Sequence, residues 1–226
     1  MSKVRSTMEI QGREFSGFPG RDYASLRQLD YEGRVAWFQF RFALVFVRPF
    51  ERFMTMEDPD CYIWLCAMSL VGSALSSLAD FAGRGGDPEK FTAFVNRYMP
   101  SFDQAAFNLH DPTASTRNHA AVTPADHFYR FFRNGLAHNF CIQWGGLQHR
   151  EEIGNVGHDY LFETNQGLHG EHGLGIVPRE FVANFRTACS RFITDLERAQ
   201  LGSELQLAFD RTFERVYLQK SLPPMP

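Results

Sequence analysis

Six consecutive residues, Arg133-Asn134-Gly135-Leu136-Ala137-His138, hold the side chains best suited to chemistry in this sequence. A guanidinium grips phosphate oxygens through a two-pronged fork and stays charged at any working pH. An imidazole exchanges a proton near neutrality. On a helix, five residues amount to about 140° of rotation, so Arg133 and His138 do not share a face outright. Asn134 and His138 do, at i and i+4, and Arg130 extends the same row one turn earlier. The long Arg133 side chain can swing round to that row. The resulting patch of two guanidinium groups, an amide and an imidazole suits phosphodiester chemistry. Fixed positive charge stabilises a developing phosphorane, and a positioned acid–base group contributes ~10² to 10⁴-fold in rate. Without metal ligands nearby, the reaction these groups favour is attack by a ribose 2′-hydroxyl on its own phosphate, which restricts the substrate to RNA. A structural reading stands beside this one. Arg133 and His138 near a helix C-terminus gain ~0.3 to 1 kcal/mol each whatever else they do, and Asn134-Gly135 is a frequent helix-ending pair.

Three other groups of residues compete for attention. His149, His158, His169 and His172 fall in a Gly-rich region, and His169-Gly170-Glu171-His172 offers two nitrogens and an oxygen to a metal. No second rigidly spaced pair completes such a site, so these read as surface histidines and no metal or cofactor is expected. Phe128, Tyr129, Phe131 and Phe132 offer rings for base stacking. Their helical spacing reads instead as core, with Tyr129 the exception. Cys141 stands three residues beyond His138, but no third group is evident to orient a Cys–His nucleophile.

The elements that position these residues are mainly helical. The apolar stripe Val35, Phe38, Phe42, Val45 and Phe46 predicts a helix over 32–56, kinked or with its straight part ended at Pro49. Asp58-Pro59 opens a second helix to about Phe81, apolar on nearly every face through Ala74 and therefore central. Asp87-Pro88 opens a third, ending at Met99-Pro100. Ser101-Phe102-Asp103-Gln104 has capping-box spacing for a short helix, and residues 109–122 are polar and irregular. Thr123-Pro124 starts the helix that leads towards Asn134. Beyond His138, the alternation of Phe140, Ile142 and Trp144 predicts a strand, with Gly145-Gly146 as a hairpin turn and further short strands near 147–153 and 159–163. Gly-rich loops follow, up to Gly175. Phe181, Phe185, Ala188, Phe192 and Leu196 predict a long amphipathic helix, and the capping-box spacing at Ser203 starts a last one to about Leu218. Residues 1–30 read as an irregular arm. The remainder, 31–226, reads as a single helical domain with a β insertion over 139–176, antiparallel around 139–164.

Composition limits the function classes. A formal charge of −3 leaves no global basic surface for nonspecific nucleic-acid binding, so any anionic ligand needs a local arginine cluster. The 23 Phe residues can build a large core from few positions, because each buries much apolar area and asks for no hydrogen bond. Cys61, Cys66, Cys141 and Cys189 form no metal-like spacing and are expected as reduced, buried thiols of a cytoplasmic protein. No secretory signal is visible. The greasiest stretch, Cys61 to Leu75, is shorter than the ~18 to 20 residues of a membrane span, so no membrane role is expected.

Arg-Asn-Gly-Leu-Ala-His, closing an aromatic-rich helix, resembles the Arg-to-His motif of the HEPN superfamily (higher eukaryotes and prokaryotes nucleotide-binding). Asn134 fits the polar position that commonly follows the Arg. The resemblance implies an up-and-down helical bundle with the motif on a late helix. It also implies a metal-independent endoribonuclease, often of defence or toxin–antitoxin systems, whose site forms where two motifs meet in a homodimer. Arg133 would hold the phosphate, His138 would move the proton, and Asn134 would orient substrate or imidazole. The expected partners are RNA or a nucleotide, a second copy of the chain, and an antitoxin protein. A non-catalytic module of the same fold, binding nucleotide, RNA or a protein, is the competing class. A purely structural dimer is the third.

Overall fold

In a computed structural model, the described residues are 7–10, 13–16, 26–56, 62–83, 87–109, 123–139, 141–142, 145–154, 157–165 and 172–218. The expected cap-then-Pro signal at Asp58-Pro59, the loop 110–122, His169, Glu171, Phe140 and Trp144 lie outside them. The architecture is mainly helical with a small three-stranded mixed sheet.

The arm expected to be irregular contains an antiparallel hairpin, β1 (Thr7–Ile10) with β2 (Arg13–Ser16), Thr7 standing opposite Ser16. Four residues a side give too short an alternation to register amid the flanking Gly and Pro. Helix α1 (Tyr31–Phe42) is capped by Asp30, whose carboxylate accepts from the Gly33 N–H at 2.8 Å. It passes through a π-helical turn at Ala43–Val47 into α2 (Arg48–Thr55). The helical run thus continues past Pro49 to Thr55, as expected. A proline lacks an N–H and its ring collides with the carbonyl four residues back, and the wider turn lies where that collision would fall. The extra residue also rotates the stripe. Val35, Phe38 and Phe42 are buried as the periodicity predicts, but beyond them Ala43 and Val47 turn inward, while Val45 is 40% exposed.

Helix α3 (Tyr62–Ala82) is central: Ala67, Met68, Val71, Ala74, Leu75 and Leu78 are fully buried. It packs against α4 (Asp87–Tyr98), against the C-terminal helix, and against the segment carrying Arg133. Its stretch Ile63–Ala82 is longer than the window read from sequence and has the length and hydropathy of a membrane span, yet half of it is buried inside the protein. Short helix α5 (Ser101–Gln104) does not form the expected capping box. Ser101 sits inside the helix, and its hydroxyl instead donates to the Asp159 carboxylate at 2.5 Å, joining two distant segments.

Thr123 caps α6 (Pro124–His127) as expected, accepting from the Asp126 N–H. A π turn at Phe128–Arg133 then leads without a break into α7 (Asn134–Asn139). The region that follows differs from the expected hairpin. Gly145-Gly146 is not a turn but part of β3 (Gly145–Leu147), and 150–153 forms α8 (Arg150–Ile153) rather than a strand. Strand β4 (Leu161–Asn165) pairs antiparallel with β5 (His172–Ile176), and β5 pairs parallel with β3, giving the order β3-β5-β4. Gly173 and Gly175, expected in a loop, lie in the central strand. Glycine is tolerated there because another group occupies the space of its side chain: the Phe162 ring covers Gly175. Arg150 fastens this insertion to the helix after it, bonding both Glu180 carboxylate oxygens and the Asp159 carbonyl.

Helix α9 (Pro178–Arg198) buries Phe181, Phe185, Ala188, Phe192 and Leu196, all five residues of the expected face. Helix α10 (Glu204–Phe213) starts at Ser203, which accepts from the Gln206 N–H, and ends in a third π turn, Glu214–Leu218. Of the cysteines, Cys189 is buried, and burial pushes its thiol well up from the ordinary value. Cys66 and Cys141 are exposed, contrary to the reading of buried thiols.

Two outcomes follow from the packing. A Cβ at Gly175 would fall within the Phe162 ring, so Gly175→Ala should destabilise the chain by ~1 to 3 kcal/mol in urea unfolding, as overpacking does. The Tyr31 hydroxyl donates to the Leu196 carbonyl at 2.7 Å, and burial, helped by the Asp210 charge, pushes its phenol from 10.0 up to about 12. A raised phenol contributes stability that is whole below about pH 10 and is lost as pH rises through about 12. Thermal unfolding of Tyr31→Phe between pH 9 and 12 should therefore fall less steeply than that of the wild type.

Candidate functional site

The helix carrying the motif continues through Asn134-Gly135, so that pair does not act as a terminating cap. Asn134 and His138 thus keep their i, i+4 relation on one face. Phe128, Phe131, Phe132 and Leu136 are buried, while Arg130, Ala137 and His138 are exposed, with Arg133 and Asn134 between the two faces. The aromatic residues anchor the segment to α3 and α4 and leave the polar row at the surface. Tyr129 is half-buried, its ring 5.1 Å from that of Phe91.

Arg133 is held from three sides. Its Nε donates to Ser76 Oγ on α3 at 3.0 Å, and its Nη1 donates to Asn134 Oδ1 at 2.7 Å. Its guanidinium carbon lies 5.4 Å from the centre of the Tyr129 ring, a cation–π contact. Ser76 in turn donates to the Gly72 carbonyl at 3.0 Å, so its hydroxyl is satisfied as both donor and acceptor. Gly72 permits the approach: a Cβ there would stand 3.3 Å from Arg133 Cγ and 3.5 Å from its Cα. Sequence reasoning missed Gly72, Ser76 and the role of Tyr129 as a platform. A glycine inside an otherwise strong helix was the available signal, since it costs roughly 1 kcal/mol against Ala and needs a packing reason.

This fixes a direction for charge. A guanidinium has five N–H donors; Ser76 and Asn134 take two, and no other described residue takes the rest. Because Arg can only donate, Asn134 must turn its oxygen towards it, which leaves the Asn134 amide NH₂ as a further outward donor. The arrangement leaves several N–H donors on one side of the helix, the kind of group an anion could meet.

The structure brings Arg133 and Asn134 into contact and sets Arg130 and His138 on the same exposed row. It does not join Arg133 to His138 by a bond. The other candidates come out separately. Cys141 is exposed, and its backbone N–H bonds the Gly135 carbonyl at 3.5 Å, with no thiol contact to His138. His172 Nδ1 lies 3.3 Å from a Glu163 oxygen whose partner oxygen accepts the Asn108 N–H at 2.6 Å. His158 lies 3.9 Å from Asp159. Among the described residues, no group of three His, Cys, Asp or Glu is arranged to hold a metal.

If Ser76 orients the guanidinium, a double-mutant cycle of Ser76→Ala with Arg133→Gln should show a coupling of about 0.5 to 1.5 kcal/mol in urea unfolding. Strict additivity would mean the bond contributes nothing.

Compared with protein-family models, with characterised proteins and with solved structures, the chain finds no match in any of the three.

Proposed function

We propose that this chain is a metal-independent endoribonuclease of HEPN type, acting at Arg133 and His138. The observation that carries the reading is the clamped Arg133–Asn134 pair, with donors to spare, one helical turn from an exposed imidazole. In the reaction, the ribose 2′-oxygen forms a bond to phosphorus while the bond from phosphorus to the 5′-oxygen breaks. The 2′-hydroxyl gives up a proton and the leaving 5′-oxygen takes one, and the product is a 2′,3′-cyclic phosphate. Arg133 and the Asn134 amide hold the phosphate and offset its growing negative charge. His138 moves the proton.

One imidazole cannot be base and acid at the same instant. A two-fold meeting of two copies supplies a second His138 and doubles the arginines, since a self-complementary interface brings the same patch together twice. The reading therefore includes a homodimer working on RNA in the cytoplasm. An antitoxin protein that covers the row would silence it, consistent with a defence role.

One observation favours a second reading, a binding module without turnover: Arg133 is tied to α3 and Tyr129, not to His138. The test is incubation of the purified chain with RNA in excess chelator. Cleavage with cyclic-phosphate ends, reduced ~10² to 10⁴-fold in His138→Ala with folding intact, is the expected result. Retained RNA binding with no cleavage by the wild type would move the assignment to the binding module. Neither binding nor cleavage would end both.

A further inference from the structure

A second feature of the molecule lies on another side of α3. Ser76 and Ser77 are neighbours about 100° apart on that helix; Ser76 holds Arg133, whereas Ser77 lines a cleft of about 270 Å³. The cleft runs between α1, α3 and the C-terminal turn, with Phe38, Phe42, Phe46, Phe81 and Tyr217 as its walls. Two of the three π turns meet across it. Ala43–Val47 contributes Val45 and Phe46, and Glu214–Leu218 contributes Val216 and Tyr217. π turns recur at functional sites because they displace a side chain from its helical position. Here they turn Val45 and Val216 outward, 40% and 45% exposed, on the cleft's two lips. Apolar surface left bare on both lips is surface that an apolar guest would cover.

The polar groups on the rim define the guest's charge. The Asp80 carboxylate is engaged by Lys90 at 3.1 Å and Arg215 at 3.6 Å. The Thr212 hydroxyl donates to the Asp80 carbonyl, and that of Ser77 to the Ser73 carbonyl. Arg41, exposed at the end of α1, pairs with no described residue. Arg41 and Asp80 are the charged residues of the cleft's own lining, and with Asp80 already engaged by Lys90 and Arg215, Arg41 is the lining charge left for a guest. Ligand sites combine an apolar lining with a few convergent polar groups, and this volume falls just below their usual range of roughly 300 to 1,000 Å³, which suits a small guest.

We propose that the cleft binds a small free carboxylic acid with an apolar body, its tail between the phenylalanine walls and its carboxylate on Arg41. The proposal is independent of the ribonuclease reading, because it uses neither Arg133 nor His138. The test is calorimetric titration of the full chain with octanoate and, separately, with 1-octanol. Octanoate should bind at one saturable site. Arg41→Gln should weaken octanoate about tenfold, the loss of one charge-assisted hydrogen bond, and leave 1-octanol unchanged. Val216→Trp, at an exposed position that does not threaten folding, should fill the cleft and weaken both. No saturable octanoate binding at millimolar concentration overturns the proposal, as does octanoate binding to Arg41→Gln as tightly as to wild type.

Discussion

How closely the motif-bearing helix can approach α3 governs much of what this protein presents to solvent. Gly72 and Ser76 stand one turn apart on α3, the first offering no side chain and the second a single hydroxyl. Together they make a slot that admits the stem of Arg133 and meets its Nε. A side chain at position 72 would press on the Arg133 stem, which would have to give by a few tenths of an ångström. Around this slot Phe128, Phe131 and Phe132 are buried, each worth ~1.5 to 3 kcal/mol of transfer free energy. The backbone of the polar row is thus anchored by greasy neighbours, while Ser76 and Asn134 orient the Arg133 guanidinium at its surface end.

Three π turns recur where aromatic residues crowd a helix: Ala43–Val47, Phe128–Arg133 and Glu214–Leu218. Each adds a residue to the turn and shifts every later side chain round the axis. In the first, the shift moves Val45 to the surface; in the third, it leaves Val216 there. In the second, it precedes Arg133 directly, and the Asn134 N–H reaches back to the Tyr129 carbonyl across the widened turn. Helical irregularity in this chain is therefore localised to the segments that carry its least ordinary side chains.

The parts of the fold legible in the sequence are those with local causes. The apolar face from Phe181 to Leu196 and the caps at Thr123 and Ser203 act within a turn or two of their own positions. The stripe beginning at Val35 held only as far as Phe42, because a period of 3.6 cannot register an inserted residue. Gly145-Gly146 has the local chemistry of a hairpin turn, and only the distant strand His172–Ile176 makes it a strand. Of the candidate site, the shared face of Asn134 and His138 followed from spacing alone. The grip on Arg133 did not, since Ser76 is far away in the chain and announces itself only as one more serine on an apolar helix.

The parallel pairing of β3 with β5 has a kinetic consequence. Gly145 finds its partner Leu174 only after α8, β4 and the antiparallel pair with β5 lie between them. Pairings so far apart in the chain carry their loop-closure cost before any return, so they form late. During synthesis the ribosome has already released the motif by then, while the strand that must anchor the chain just beyond it is still being made. The polar row is thus exposed on a nascent chain before its downstream tether exists, held at that stage by the upstream contacts with Ser76 and Tyr129 alone.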